Sequence, residues 1–292
     1  MEWSYEILKA VTIFLGALGG MVLKRSGIVY TAIVGHFILT SVLLGYASRL
    51  GLPFAIGTAF LLGVALISLG LLAAQYNRTT YIAVLYVCSL LSMPAANLIM
   101  RAFPADAHRP GLASPAIRWT MDDLTTAFIA VLVSATVWVG SICIARTRGQ
   151  ALLTHWSQSS ATVARDLDRA KIFTLARVFR AAVPTIVCAS ACFTTAVLFG
   201  CFVTDGAYTM NKFDILPFWM LLLGLAANGR EGIIVVLVVV YAAVDSLIGQ
   251  AARSAVGQIP TQAIYVLFGL LLLVLTVVGA ERQPATRSIA KS

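Results

Sequence analysis

The stretch that decides the fold is RTRGQALLTHWSQSSATVARDLDRAKIFTLARVFR, which runs from Arg146 to Arg180. It is a basic, water-soluble segment between long apolar runs, and a charged loop of this kind cannot lie in the hydrocarbon of a bilayer. It therefore separates membrane segments that precede it from others that follow it. Because Lys and Arg accumulate in cytoplasmic loops, the stretch is expected to face the cytoplasm.

The composition of the rest of the chain places it in a membrane. Of 292 residues, 60% are hydrophobic and 11% are charged, whereas a soluble domain carries about 25% charged residues. We predict an all-α, polytopic transmembrane helical bundle of about nine membrane segments. The whole chain, 1–292, is predicted to be a single transmembrane domain with a cytoplasmic loop at 146–180. The net charge of +9 is explained by basic cytoplasmic loops, and no nucleic-acid partner is expected.

Apolar runs of about 20 residues mark the predicted spans. They are Tyr5–Leu23, Ile28–Ser48, Pro53–Ala74, Thr80–Phe103, Leu124–Ala145, Ala181–Val203, Ile215–Ala227, Ile233–Ala252 and Ala263–Ala280. The seventh run is short, and it could span the membrane or be re-entrant. Counting from the basic loop places the N-terminus outside, and Lys24 and Arg25 inside.

Sequence motifs for catalysis are missing from the chain. It has no G-x-x-x-x-G-K-[ST] phosphate loop, no H-E-x-x-H and no G-x-S-x-G. We therefore expect no enzyme, no ATPase site of its own, and no metal or other cofactor in this chain. Cys188 and Cys192 share a helix face and could form half of a metal site, but small packing residues are the favoured interpretation.

Ionisable residues inside the apolar runs are few, and Asp245 is the clearest of them. An intramembrane carboxylate suggests a functional site. The alternative is that Asp245 lies near the outer end of its helix and reaches water or a backbone donor. Tyr241 precedes it by one helical turn and would share its face.

Four stretches, in order, carry a resemblance to a known family. They are Leu15–Gly20 (LGALGG) with Lys24–Val29 (KRSGIV); Arg146–Gly149 (RTRG); Asp166–Ile172 (DLDRAKI) followed by Leu175 and Ala176; and Gly229–Ile233 (GREGI) leading to Ile259–Gln262 (IPTQ) and Leu267–Leu270 (LFGL). Together they resemble permeases of ABC importers in the branched-chain amino acid, ribose and nucleoside group, above all the shorter permease of nucleoside- or riboflavin-type importers. The family usually continues after the first stretch with N-I-G-x-E-G, where this chain has YTAIVG at 30–35. Substrate contacts of that segment are not carried over.

The resemblance implies an ABC importer permease fold in the bacterial cytoplasmic (inner) membrane. It implies a second, longer permease as heterodimer partner, a cytoplasmic ABC ATPase subunit that binds the ATP, and an extracytoplasmic solute-binding protein. The cargo would be a small polar or aromatic solute, such as a nucleoside, riboflavin or a ribose-like sugar. Candidate residues of the path are those with polar or aromatic side chains in or beside the spans: Asn97, Trp219, Asn228, Tyr241, Asp245 and Gln262.

The basic loop is predicted to contain a short helix that couples to the ATPase, over 159–172. Ser159 or Ser160 can cap its start, and Val163 and Leu167 fall on one face. Such an apolar ridge can bind a groove of a partner, with the flanking charges fixing its register. These charges belong to Arg165, Asp166, Asp168 and Arg169. The alternative is a merely solvated loop.

Other classes of protein remain open at this point. The first is a secondary carrier or channel that acts without an ATPase, and another is a non-transporting membrane scaffold. A metal-type ABC permease would need a His/Asp/Glu cluster in its spans, and a membrane enzyme would need convergent acid–base groups. The sequence presents neither set.

Overall fold

The computed structural model describes residues 2–26, 30–47, 50–74, 85–92, 94–96, 98, 123–147, 153, 175–203, 216–227, 229–253, 269–272 and 274. Seven helices have their bounds within this part of the chain, and further helical residues occur at 85–92, 94–96 and 269–272. The seven helices are α1 (Glu2–Arg25), α2 (Ile33–Ala47), α3 (Leu52–Ala74), α4 (Asp123–Ala145), α5 (Leu175–Val203), α6 (Leu216–Ala226) and α7 (Glu231–Arg253). No β-strand occurs among the described residues.

Four helical segments are long and apolar enough to cross a membrane. They are Glu6–Arg25, Leu52–Leu72, Leu124–Ala145 and Arg180–Gly200. Each coincides with a predicted span, so the prediction of an all-α chain with helices able to span a membrane is confirmed for the described residues. The count of about nine segments stays a prediction, because much of the spans Thr80–Phe103 and Ala263–Ala280 lies outside the described residues.

Helices α1 and α5 form the centre of the bundle. In each of their spans 72% of the residue window is buried, against 33% in α3 and 22% in α4. Helix α1 packs against α4, α5, α6 and α7. Large apolar side chains cover the outward faces of α3 and α4, among them Leu61, Leu69, Phe128 and Leu132. A face of this kind suits contact with lipid, where no polar surface is needed.

Helix α6 runs parallel to α1 and lies close against it. A Cβ on Gly16 would meet the side chain of Met220, and a Cβ on Gly224 would lie 2.5 Å from the carbonyl oxygen of Ala17. Backbones approach this closely in membranes where small residues line the interface. The 11 residues of α6 rise about 16 Å. The predicted seventh segment is thus short, and this helix alone does not cross a hydrocarbon layer of about 30 Å.

Helix α7 runs antiparallel to α1, and charged side chains join the two helices at both ends. Lys9, near the start of α1, pairs with Asp245, whereas Arg25 at its end pairs with Glu231 at the start of α7. Lys24 and Arg25 therefore share one end of the bundle with the turn between α6 and α7. Lys9 and Asp245 lie toward the opposite end.

Candidate functional site

The clearest charged pair inside the bundle joins Lys9 of α1 to Asp245 of α7. The Lys9 ammonium group donates a hydrogen bond to the Asp245 carboxylate, and the two side chains are 27% and 14% exposed. The sequence indicated Asp245 but missed its partner, because neither interpretation of Asp245 included a cation. One signal was available: Lys9 is the single basic residue within the first apolar run, Tyr5–Leu23.

An aromatic pair lies one helical turn from this ion pair. The rings of Trp219 and Tyr241 have centroids 5.6 Å apart at an interplanar angle of 47°, and both residues are buried. Tyr241 precedes Asp245 by four residues and therefore shares its face of α7. Trp219, Tyr241 and Asp245, three of the predicted path residues, thus come together beside Lys9. The other three, Asn97, Asn228 and Gln262, lie outside the described residues.

The opposite end of α1 holds the turn between α6 and α7. The Arg25 side chain donates from Nε to the Gly229 carbonyl oxygen at 3.0 Å and pairs with the Glu231 carboxylate at 2.5 Å. Lys24 donates to the Leu225 carbonyl oxygen at 2.6 Å. Gly229 has φ +75°, a conformation that favours glycine. Two of the stretches that carry the family resemblance, KRSGIV and GREGI, therefore contact each other across 204 residues of sequence.

The two ion pairs are separated by most of the thickness of a membrane. From Lys9 to Arg25 is 16 residues, which corresponds to about 24 Å of helix, and the hydrocarbon layer measures about 30 Å. Tyr241 lies between Glu231 and Asp245 along α7. The interface of α1, α6 and α7 therefore has charged groups toward both ends and an aromatic pair between them.

A second polar cluster was not anticipated from the sequence. Nδ1 of His36, on α2, shares a hydrogen bond of 3.1 Å with the Tyr30 hydroxyl. The centroid of the His36 ring lies 5.1 Å from that of the Phe193 ring on α5. A Cβ on Gly63 of α3 would lie 2.9 Å from Ser190 Oγ and 3.1 Å from His36 Nε2. Three helices thus meet at His36. A lone histidine in an apolar run gave no sign of this, since its neighbours come from distant parts of the sequence.

Of the remaining candidate residues, the two cysteines are packed inside the bundle, and the coupling residues lie outside the described part of the chain. Cys188 and Cys192 are free and buried, and Cys192 packs where a Cβ on Gly19 would fall, at 3.1 Å. Within the described part of the chain, no group of three His, Cys, Asp or Glu residues is arranged to hold a metal ion. The predicted coupling residues all lie outside the described residues: Ser159, Ser160, Val163, Arg165, Asp166, Leu167, Asp168 and Arg169.

Comparison of the chain with protein-family models, with curated proteins and with solved structures finds no match. The described residues define the class from the fold alone: an all-helical protein with four helices long and apolar enough to cross a membrane.

Proposed function

We propose that this chain is a permease subunit of an ABC importer in a bacterial cytoplasmic membrane, and that it forms part of the path for a small polar or aromatic solute. The observation that carries the proposal is the contact of Arg25 with Gly229 and Glu231. It joins two stretches that resemble the same family independently. Residues of a shared fold are expected to contact each other in this way, whereas chance resemblances would scatter over the bundle.

The path in this proposal runs along the interface of α1, α6 and α7. Trp219 and Tyr241 offer ring faces on which a flat solute can stack. Asp245 and Lys9 offer hydrogen bonds at one end, while Arg25 and Glu231 close the other. A nucleoside, a flavin or a ribose-like sugar has the matching combination of ring and polar groups. An extracytoplasmic solute-binding protein would deliver the solute, and a longer permease would complete the path.

Energy enters this proposed importer through the basic loop. The segment 159–172 would form a short helix, and the ridge of Val163 and Leu167 would bind a cytoplasmic ABC ATPase that holds the ATP. The chain itself has no phosphate loop, so a partner ATPase is required. This step rests on the sequence, because these residues lie outside the described part of the chain.

The experiment measures whether the loaded binding protein stimulates ATP hydrolysis in a reconstituted complex. The chain, its partner permease and the ATPase are purified together in lipid, and ATP hydrolysis is measured with and without the loaded binding protein. The double change Val163→Asp and Leu167→Asp should abolish the stimulation, because it places charge on the docking ridge. The control is Ala161→Asp with Thr162→Asp, which adds the same charge away from that ridge. Equal stimulation in both double variants contradicts the proposal.

A second candidate is a secondary carrier that works without an ATPase. The Lys9–Asp245 pair favours it, since ionisable residues within a bundle frequently belong to ion or proton pathways. The two candidates are separated by solute uptake into liposomes that contain this chain alone. Uptake driven by an ion gradient without ATP would identify the carrier, and uptake that requires the ATPase would identify the importer.

A further inference from the structure

Helix α7 is buried along one face, and this face ends before the helix does. Its buried residues are spaced by three or four positions, which marks one side of a helix. They are Ile234, Leu237, Val238 and Tyr241. The next position on that side is Asp245, whose side chain is 14% exposed. None of the residues from Ala242 to Ser246 is buried.

The start of α7 is fixed by several contacts. The Arg25 side chain donates to the Gly229 carbonyl oxygen at 3.0 Å and pairs with Glu231. Its neighbour Lys24 donates to the Leu225 carbonyl oxygen at 2.6 Å. Helix α6, which lies close against α1, leads directly into this turn. The start of α7 is therefore held to the end of α1 by side chains and through α6.

The far end of α7 is held by charge. Asp245 pairs there with Lys9 of α1, and the Lys9 side chain is 27% exposed. An ion pair that keeps contact with solvent contributes about 0–1 kcal/mol, because water solvates the separated charges. Lys9 precedes Arg25 by 16 residues, which is about 24 Å of helix in a hydrocarbon layer of about 30 Å. The pair is thus close to the opposite boundary of the layer, where both charges can reach water when they separate.

The connection between α6 and α7 is suited to act as a pivot. Helix α6 ends at Ala226 and α7 begins at Glu231, and Gly229 between them has φ +75°. Hinges are a few residues at the ends of elements that absorb a change in backbone angles, and glycine adopts the widest range of these angles. A rotation here would move the start of α7 little and its far end most. The Lys9–Asp245 pair is the contact that such a rotation would break.

We propose that α7 is a gate that pivots on the turn at Gly229 and opens at the Lys9–Asp245 pair. Opening would draw Asp245 away from α1 and uncover the buried rings of Trp219 and Tyr241, which lie one helical turn further in. Access would come from the end of the bundle opposite Arg25. The gate rests on the proposed function only for what passes through it, since it would serve an importer or a carrier equally.

The test is a distance measurement between two spin labels on the purified full chain in lipid nanodiscs. The labels are attached to cysteines at Glu6 of α1 and Ala243 of α7, both exposed, after the five native cysteines are replaced by alanine. Pulsed EPR compares the chain with and without Asp245→Asn. This change leaves the Lys9 charge without its partner in the closed state and solvated in the open state, so a population at longer distance should appear. A swing of about 20° at Gly229 would lengthen the distance by about 7 Å.

Two further variants make this result specific. Lys9→Met removes the other charge of the pair and should produce the same longer population, so the test does not depend on the folding of one variant. Glu231→Gln is the matched control, because it also replaces a carboxylate of α7 by an amide. It lies at the held end, where Arg25 still donates to Gly229, and it should leave the distance between the labels unchanged.

A second pair of labels, on Glu6 and Gly232, reports on the held end of α7. Gly232 is exposed, and nothing lies within 4 Å of an added Cβ. It is three residues from the pivot, so its distance to Glu6 should stay the same in Asp245→Asn. The gate is overturned if neither Asp245→Asn nor Lys9→Met lengthens the first distance. It is also overturned if both label pairs lengthen together, because α7 would then detach as a whole.

Failure of the gate and failure of the proposed function are distinguishable. A longer distance that follows this pattern, in a chain that fails to stimulate any ATPase, would support the gate and contradict only the importer. Stimulation of an ATPase by a chain whose label distances do not respond to Asp245→Asn or Lys9→Met would support the importer and contradict only the gate.

Discussion

The Arg25 guanidinium and the Glu231 carboxylate form an ion pair that joins the end of α1 to the start of α7. The same guanidinium donates to the Gly229 carbonyl oxygen. One side chain thus holds both the turn before α7 and its first residue. Because Glu231 lies in the first turn of α7, its negative charge also interacts favourably with the helix dipole.

Removing the charge of Arg25 should destabilise the bundle more than removing the charge of Glu231. Arg25→Met loses the ion pair and the hydrogen bond to Gly229, and we expect a loss of about 2 kcal/mol, since the pair is only partly buried. Glu231→Gln keeps the bond to Gly229 and should lose about 1 kcal/mol. Unfolding in mild detergent with increasing denaturant measures both. An equal loss in the two variants would mean that the contact with Gly229 adds nothing.

Gly229 should be intolerant of a side chain for a conformational reason. Its φ of +75° costs an ordinary residue about 1 kcal/mol, so Gly229→Ala should destabilise by that amount. Space is not the cause, because a Cβ would lie 3.4 Å from Arg25 Cγ, an ordinary contact. Gly232→Ala is the matched control. It lies in α7 with nothing within 4 Å of the added Cβ, and it should be neutral or stabilising.

The sequence could predict the helices and part of the candidate site. Apolar length alone located the four spans, and the spacing of Tyr241 and Asp245 placed them on one face because helical periodicity is local. The sequence indicated Trp219 and Tyr241 by residue type alone, and it did not predict that their rings contact each other. The lone basic residue of the first apolar run pointed to Lys9 as unusual, but not to Asp245 as its partner, since that pairing depends on how α1 and α7 pack across 236 residues of sequence.

Helix α5 shows a second limit of sequence reasoning. Thr194 and Thr195 are the same residue type in adjacent positions of one helix, yet only Thr195 bonds to its own helix. No local pattern distinguishes them. Thr194 is buried and Thr195 only half-buried, and that difference depends on tertiary packing.

Close packing of α6 on α1 predicts a severe steric effect at Gly224. A Cβ there would lie 2.5 Å from the Ala17 carbonyl oxygen and 3.0 Å from the Met21 backbone nitrogen. Backbone atoms cannot rotate away, so Gly224→Ala should force the helices apart and cost about 2 kcal/mol or more. Gly57→Ala on α3 is the control, because nothing lies within 4 Å of its added Cβ. Similar midpoints of thermal unfolding for the two variants would contradict the described approach of α6 to α1.

The Lys9–Asp245 pair should affect both stability and transport, and the two effects can be separated. Asp245→Asn or Lys9→Met leaves one charge without its partner inside the bundle, and each should cost about 2 kcal/mol of stability. The double change Lys9→Met with Asp245→Met removes both charges and replaces them with apolar side chains. We expect it to recover most of the stability, because apolar replacement of an ion pair is frequently neutral or stabilising.

Transport by the double variant then decides the role of the pair. If Asp245 and Lys9 contact the solute, uptake should remain at least about tenfold below that of the unmodified chain, which corresponds to about 1.4 kcal/mol, although the fold is restored. If the pair only holds α1 to α7, uptake should return together with stability. The charge exchange Lys9→Asp with Asp245→Lys adds a further test. It keeps an ion pair between the helices but moves each charge to the other wall of the path, so a solute that recognises a fixed carboxylate would not be transported.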